Sequence, residues 1–189
     1  MLIISCIVIA LSLGCVYGYW VHAHYRLTTI TNHKVYQSAA MPPRRLIRFL
    51  KARGITTVFD FRAKDDADAV AKERAALIAA GLQHIHIPSG KKPKPECIQT
   101  FITAMHQELS AGHRVLLHCR DGEGRALFYS AVYRIEFENW QPEAAFHASI
   151  RLPRCLRLLN RLVPRLGRMS RRNDKTGLIL NYQRQTAKA

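Results

Sequence analysis

The chain has 189 residues and a net charge of +16, enough for one domain with a substantial core plus appendages. Its five cysteines (Cys6, Cys15, Cys97, Cys119, Cys155) show neither paired nor metal-ligand spacing, which excludes a disulfide framework and leaves no metal site to assign. The surplus of Lys and Arg points to an anionic partner, and the absence of any RNA- or DNA-reading motif ranks nucleic acid last among them.

Leu2 to Val21 are twenty positions without a charged side chain, closed by Tyr17, Tyr19 and Trp20, and the first charge is Arg26. That length fits a bilayer-spanning helix with an aromatic interfacial end. No Lys or Arg precedes the run, which argues against a cleaved signal peptide. Residues 1–24 are therefore predicted to be a retained transmembrane helix, single-pass in the inner or plasma membrane. Every Lys and Arg follows it, which favours the cytoplasmic side for the rest of the chain, although large domains can override that rule.

His22 to Thr31 reads as a polar link, and Lys34 to Ser38 as a first short strand. Pro42-Pro43 opens a helix that runs to about Arg53, with Leu46, Ile47 and Leu50 on one face and Gly54 as its stop. Ile55 to Phe61 is β-rich, Asp65 to Ala80 helical, and Leu82 to Ile87 a strand ended by Pro88. His84 and His86 alternate along that strand as half-buried residues rather than ligands. Ser89 to Pro95 is a loop carrying Lys91, Lys92 and Lys94. Helices follow over Glu96 to Ala111 and Ala126 to Asn139, separated by a strand over Arg114 to His118; Pro142 to Ile150 makes one more short helix. This alternation over residues 25–150 predicts an α/β domain with a central, mostly parallel sheet flanked by helices.

Residues 151–189 hold eleven Lys or Arg and one acid, Asp174. Leu152, Leu156, Leu159, Leu162, Val163 and Leu166 recur near helical spacing, interrupted by Pro153 and Pro164. The segment suits either an anionic membrane surface or a helix packed on the domain with a solvated basic face.

The chemistry concentrates in Val115-Leu-Leu-His-Cys119-Arg-Asp-Gly-Glu-Gly-Arg125. A strand ends in a cysteine, a loop with two glycines follows, and an arginine opens the next helix. Backbone N–H groups of such a loop converge on an anion at the helix N-terminus, and a thiolate at its centre is a nucleophile aimed at it. Arg120, Asp121, Gly122, Glu123, Gly124 and Arg125 are the predicted phosphate-binding residues, with Arg125 as a planar clamp for two oxygens. The same Cys-to-Arg spacing recurs at Cys155 and Arg161, without glycine or preceding strand, and is an accident of composition.

These residues resemble the signature of cysteine-dependent phosphatases of the protein tyrosine and dual-specificity superfamily, specifically its small bacterial membrane-anchored type. Lys34 to Ala40, Gly54 to Arg62, and Tyr133-Arg134 with Asn139 to Ala145 are collinear with further segments of that family, so the likeness runs from about Asn32 to Ile150. It implies a dual-specificity-phosphatase-like fold, no cofactor, and phosphomonoester hydrolysis through a phosphocysteine on Cys119, with Arg125 holding the transferred group. Phosphorylated protein and phospholipid or inositol phosphate are the rival substrates, with an anionic membrane surface as a further partner. Three departures stand out. Ala126 and Leu127 replace the hydroxyl residue and glycine that usually follow the arginine, and no Asp lies between Asp68 and Asp121 to serve as the usual acid. Asp121 is the first candidate for the general acid and Glu123 the second, Glu96 bordering the lysine loop is also available, and Asp60 is a structural partner of nearby loop backbone or of Arg62. A phosphate-binding pseudophosphatase is the alternative of a different class.

Overall fold

A computed structural model describes residues 2–149 and 174–184. The uncharged N-terminal run forms α1 (Leu2–Gly18), 17 residues long. Its winding then changes to a π turn over Tyr19–Ala23. At 1.5 Å per residue α1 covers about 26 Å, short of the ~30 Å of bilayer hydrocarbon. No helix among the described residues is long and apolar enough to cross a membrane, which corrects the expected transmembrane helix. Counting uncharged residues registers their polarity but not the break in winding after Gly18.

Five strands form one sheet: β1 (Thr28–Thr31), β2 (Val35–Ala39), β3 (Thr57–Asp60), β4 (Gln83–His86) and β5 (Val115–Cys119). Their spatial order is β1-β2-β5-β3-β4. All pairings are parallel except that of β1, which runs antiparallel to β2. The mostly parallel sheet is as expected, but β1 lies inside the stretch read as a link. Four residues, Thr-Thr-Ile-Thr, are too few to show a period. β2, β3 and β5 are buried at every position, as strands covered by helices on both faces must be.

The helices are α2 (Pro43–Arg53), α3 (Ala67–Ala79), α4 (Pro95–Ser110), α5 (Arg125–Phe137), α6 (Pro142–Ser149) and α7 (Asp174–Leu180). Proline opens α2, and Gly54 ends it at φ +61°, a left-handed cap that glycine adopts without strain. A 3-10 turn over Lys64–Asp66 precedes α3. Side chains alternate along β5. Val115, Leu117 and Cys119 enter the core shared with Phe101 of α4 and Tyr129 of α5, whereas Leu116 packs with Leu46, Leu50 and Leu77 from α2 and α3. The leucine-striped residues 151–166 lie outside the described residues. The helix after them, α7, packs on α5 and α6, buries Ile179 completely, and Tyr182 donates to Glu136 Oε1 at 2.7 Å.

Beneath the C-terminal ends of β3, β4 and β5 lies a buried charged cluster. Arg62 donates through Nη2 to Asp60 Oδ2 at 2.7 Å and through Nε to both Asp60 oxygens at 3.0 Å; the same Nη2 pairs with Glu73 Oε2 at 3.0 Å. His118 Nε2 stands 2.9 Å from Glu73 Oε1. His84 Nε2 lies 3.4 Å from Asp60 and 3.6 Å from Glu73. Asp60, Glu73 and His118 bring ligand-type atoms within 4.8 Å of one another. The guanidinium is already the cation between the two carboxylates, so the arrangement is an ion-pair cluster.

Burial opposes charge in all five members, and the neighbours outweigh it. Asp60 is drawn far below the carboxylate range by His118, His84 and Arg62, and Glu73 falls to about 2 through His118, His84 and Arg62. Asp60 and Glu73 raise both His84 and His118 above the ordinary value of 6.5. The histidine contribution to stability is complete below 6.5 and lost as pH climbs through the raised folded values. The Glu73 contribution is complete above its ordinary 4.5 and lost as pH falls toward about 2. Thermal unfolding followed across this range should show a plateau with a loss on each side. His84→Gln should shrink the alkaline loss; a loss of unchanged size would contradict the cluster.

Candidate active site

β5 delivers Cys119 at its last position, 2% exposed. The ladder continues one residue further on the β3 side, where Phe61 N donates to His118 O at 2.9 Å. The chain then turns through Arg120–Gly124 into α5, whose first residue is Arg125. The predicted phosphate-binding residues are therefore contiguous, between the tip of a central strand and a helix N-terminus.

Three successive loop carbonyls are tied to surrounding groups. Ala40 N donates to Arg120 O at 3.1 Å, Arg26 Nη1 to Asp121 O at 2.7 Å, and Gln37 Nε2 to Gly122 O at 3.2 Å. In a trans peptide the C=O and the following N–H point in opposite directions. Holding these carbonyls against their partners turns the N–H groups of Asp121, Gly122 and Glu123 the other way, away from those partners. A run of backbone N–H groups released in this manner is an anion cradle. Gln37 is itself fixed, since Ser130 Oγ donates to its Oε1 at 2.6 Å.

Gly122 is required by space as well as by dihedral angle. Its φ is +68°, and a Cβ there would stand 2.7 Å from Ala39 N and 3.0 Å from the Ser38 carbonyl. Arg125 Nη1 donates to Phe61 O at 3.1 Å and to Ser89 O at 3.3 Å. Ser89 Oγ and the Tyr129 hydroxyl are 2.5 Å apart, and Tyr129 stacks on Phe61 with centroids 3.9 Å apart. Arg125 is thus seated against the start of the lysine loop, whose Lys91, Lys92 and Lys94 are exposed.

The acidic residues divide sharply. Glu123 pairs with Arg26 at 2.7 Å. Arg120 Nε donates to Asp66 Oδ1 at 2.9 Å, and its Nη2 lies 3.4 Å from Asp65 Oδ2. Asp60 grips Arg62, as its position in the sequence suggests. Asp121 is exposed, and no ion pair among the described residues holds its carboxylate. Sequence reasoning missed Arg26, Gln37, Asp66 and Glu73. Arg26 and Gln37 reach the loop from 95 and 85 positions away, and no local pattern announces such contacts.

Gly122→Ala should lower phosphate affinity and cost about 1–3 kcal/mol of stability, combining left-handed strain with a clash against the β2 backbone. Urea unfolding and phosphate titration of the variant would measure both, and a fully stable variant with unaltered affinity would contradict this loop geometry.

The family described as "Polymorphic toxin system, DSP-PTPase phosphatase" matches residues 33–137. No curated protein matches the chain. Solved structures similar in fold include Pseudomonas aeruginosa TpbA, 20% identical with a TM-score of 0.60, covering 86% of this chain and 88% of that one. A putative phosphatase (DUF442) from Shewanella putrefaciens is 23% identical with a TM-score of 0.56, over 75% of this chain and 93% of its own. PTPMT1 is 19% identical with a TM-score of 0.58, over 74% and 95%. With the cysteine, the tied loop and the arginine where such chemistry needs them, the chain belongs to the DSP-PTPase phosphatase family of polymorphic toxin systems and is a cysteine-dependent phosphatase.

Proposed function

We propose that this phosphatase works through a phosphocysteine, on phosphorylated protein substrates. Cys119 Sγ attacks phosphorus as the bond to the leaving oxygen breaks, and Asp121 protonates that oxygen. The N–H groups of the cradle and the Arg125 guanidinium carry the charge of the equatorial oxygens. Water then attacks phosphorus, giving a proton back to the Asp121 carboxylate, as the S–P bond breaks to release inorganic phosphate and the Cys119 thiolate. The observation that carries this reading is the set of three loop carbonyls held by Ala40, Arg26 and Gln37, since it leaves consecutive donors for a phosphate beside one nucleophile.

The choice of Asp121 as acid is supported by what restrains the others. Glu123 is engaged by Arg26, Asp65 and Asp66 by Arg120, and Asp60 by Arg62. The residue after Arg125 is Ala126, which brings no hydroxyl to the second half-reaction. Ala126 is fully buried, and the hydroxyl one turn on, Ser130 Oγ, is committed to Ala126 O and Gln37 Oε1. Hydrolysis of the phosphoenzyme is accordingly the slow step.

Substrate charge follows from the surroundings. Arg125 sits beside a loop bearing three exposed lysines, on a chain of net charge +16, which favours a phosphate set among further negative groups. TpbA has been solved with phosphotyrosine and PTPMT1 with PI(5)P. A lipid-borne phosphate is the second reading, favoured by the exposed apolar side chains of Val8, Ile9, Leu11 and Val16 on α1 and Tyr19 just after it. They suit an apolar covering at an anionic lipid surface.

Phosphate release from an aryl phosphate, a phosphotyrosine peptide and phosphoinositide vesicles should be abolished by Cys119→Ser, with the peptide giving the highest kcat/KM. A preference for the vesicles would establish the lipid reading. Release no greater than that of Cys119→Ser on every substrate, with orthovanadate still bound, would mark a phosphate-binding module instead. Ala126→Ser should raise kcat roughly tenfold, equivalent to about 1.4 kcal/mol in the transition state, and reduce the phosphoenzyme trapped by acid quench. An unchanged kcat would place the slow step elsewhere.

A further inference from the structure

Arg26 lies before the family-matched residues 33–137, yet it touches the loop at two points. Nη1 donates to Asp121 O at 2.7 Å and Nη2 pairs with Glu123 Oε1 at 2.7 Å. These contacts flank Gly122, the loop residue whose left-handed backbone, at φ +68°, belongs to a type free to rotate. The Asp121–Gly122 peptide is the one unit of the cradle whose carbonyl is held by the segment before β1. Released, this unit could turn over, exchanging the Gly122 N–H for a carbonyl that repels phosphate.

The segment carrying Arg26 is itself held. Ala39 N donates to Tyr25 O at 2.7 Å, and Arg26 N to Trp20 O at 3.0 Å. Arg45 lies over the Tyr25 ring at 4.9 Å and donates to Ala23 O. Tyr25 and Arg26 are consecutive non-glycine residues in the left-handed region, at φ 49° and 50°. Such conformations persist only where surrounding contacts over-determine them, and here they aim one guanidinium at the loop. The side chain is only 15% exposed, so water competes little for its donors.

We propose that Arg26 is a positioning residue of the phosphatase, holding the Asp121–Gly122 peptide in the orientation that presents the Gly122 N–H to phosphate. The inference rests on the phosphatase reading of the loop. It makes a segment outside the family-matched stretch part of the active site. It also assigns Glu123 a structural partner and removes it from the candidates for the acid.

The test uses the full chain. Arg26→Ala should raise KM and the orthovanadate inhibition constant about tenfold while kcat stays within about twofold, because only the fraction of loops competent to bind is reduced. Arg26→Lys, which keeps the charge but loses the fork, should fall between parent and Arg26→Ala. In 15N-labelled parent the Gly122 amide signal should move on addition of orthovanadate, and in Arg26→Ala this movement should require about tenfold more of it. An Arg26→Ala chain that is folded by its NMR spectrum and binds orthovanadate like the parent would overturn the proposal. An unfolded Arg26→Ala shifts the decision to Arg26→Lys, where parental affinity would do the same. A parent that binds orthovanadate but releases no phosphate would refute hydrolysis alone, leaving Arg26 to be judged by the amide titration. A parent that does not bind it overturns both.

Discussion

A peptide unit cannot present its N–H to a ligand without sending its C=O elsewhere, and the site depends on finding partners for those carbonyls. Arg120 O, Asp121 O and Gly122 O are accommodated by three different parts of the chain: the residue just after β2, the segment before β1, and a side chain within β2. The conformation of this loop is therefore less a property of its own residues than of what surrounds it. Gly122 must come close enough to the β2 backbone for Gln37 to reach it, and at that distance there is no room for a side chain.

A second layer supports the same loop from below. His118 immediately precedes Cys119, and it is held by Glu73 from α3, which is in turn paired with Arg62 just after β3. Two carboxylates, two imidazoles and one guanidinium share a buried volume in which every formal charge has an opposite within about 4 Å. Such clusters are strongly destabilising to break. The end of β5 is consequently fixed by electrostatics on one face and by Leu117, Phe101 and Tyr129 on the other.

The strand–loop–helix context of Cys119 and the length of its loop were legible in the sequence because each depends on residues adjacent in the chain. The same holds for the parallel sheet, whose apolar runs alternate with helical periods, and for Asp60, whose partner Arg62 is two residues away. What stayed hidden was long-range. Arg26 reads simply as the first charge after an apolar run, and Gln37 as one polar residue in a short strand. Glu73 looks like a surface residue of an alanine-rich helix, yet it is 2% exposed. The N-terminal run misled for a related reason: hydropathy reports what a helix would prefer to touch, not where its winding changes. The family match adds no evidence on Arg26, which precedes the residues it spans.

The strand order has a consequence for how the protein is made. β5 inserts between β2 and β3, both of which are complete much earlier in the chain. Until β5 emerges, β2 and β3 each present an unpaired edge to the same gap, the kind of edge that invites misplaced pairing. Pairing across long stretches of chain is also intrinsically slow. Cys119 arrives on the strand that closes this gap, and the loop after it finds its carbonyl partners only then. Insertion of β5 thus both completes the sheet and brings the loop after Cys119 to its partners around β2.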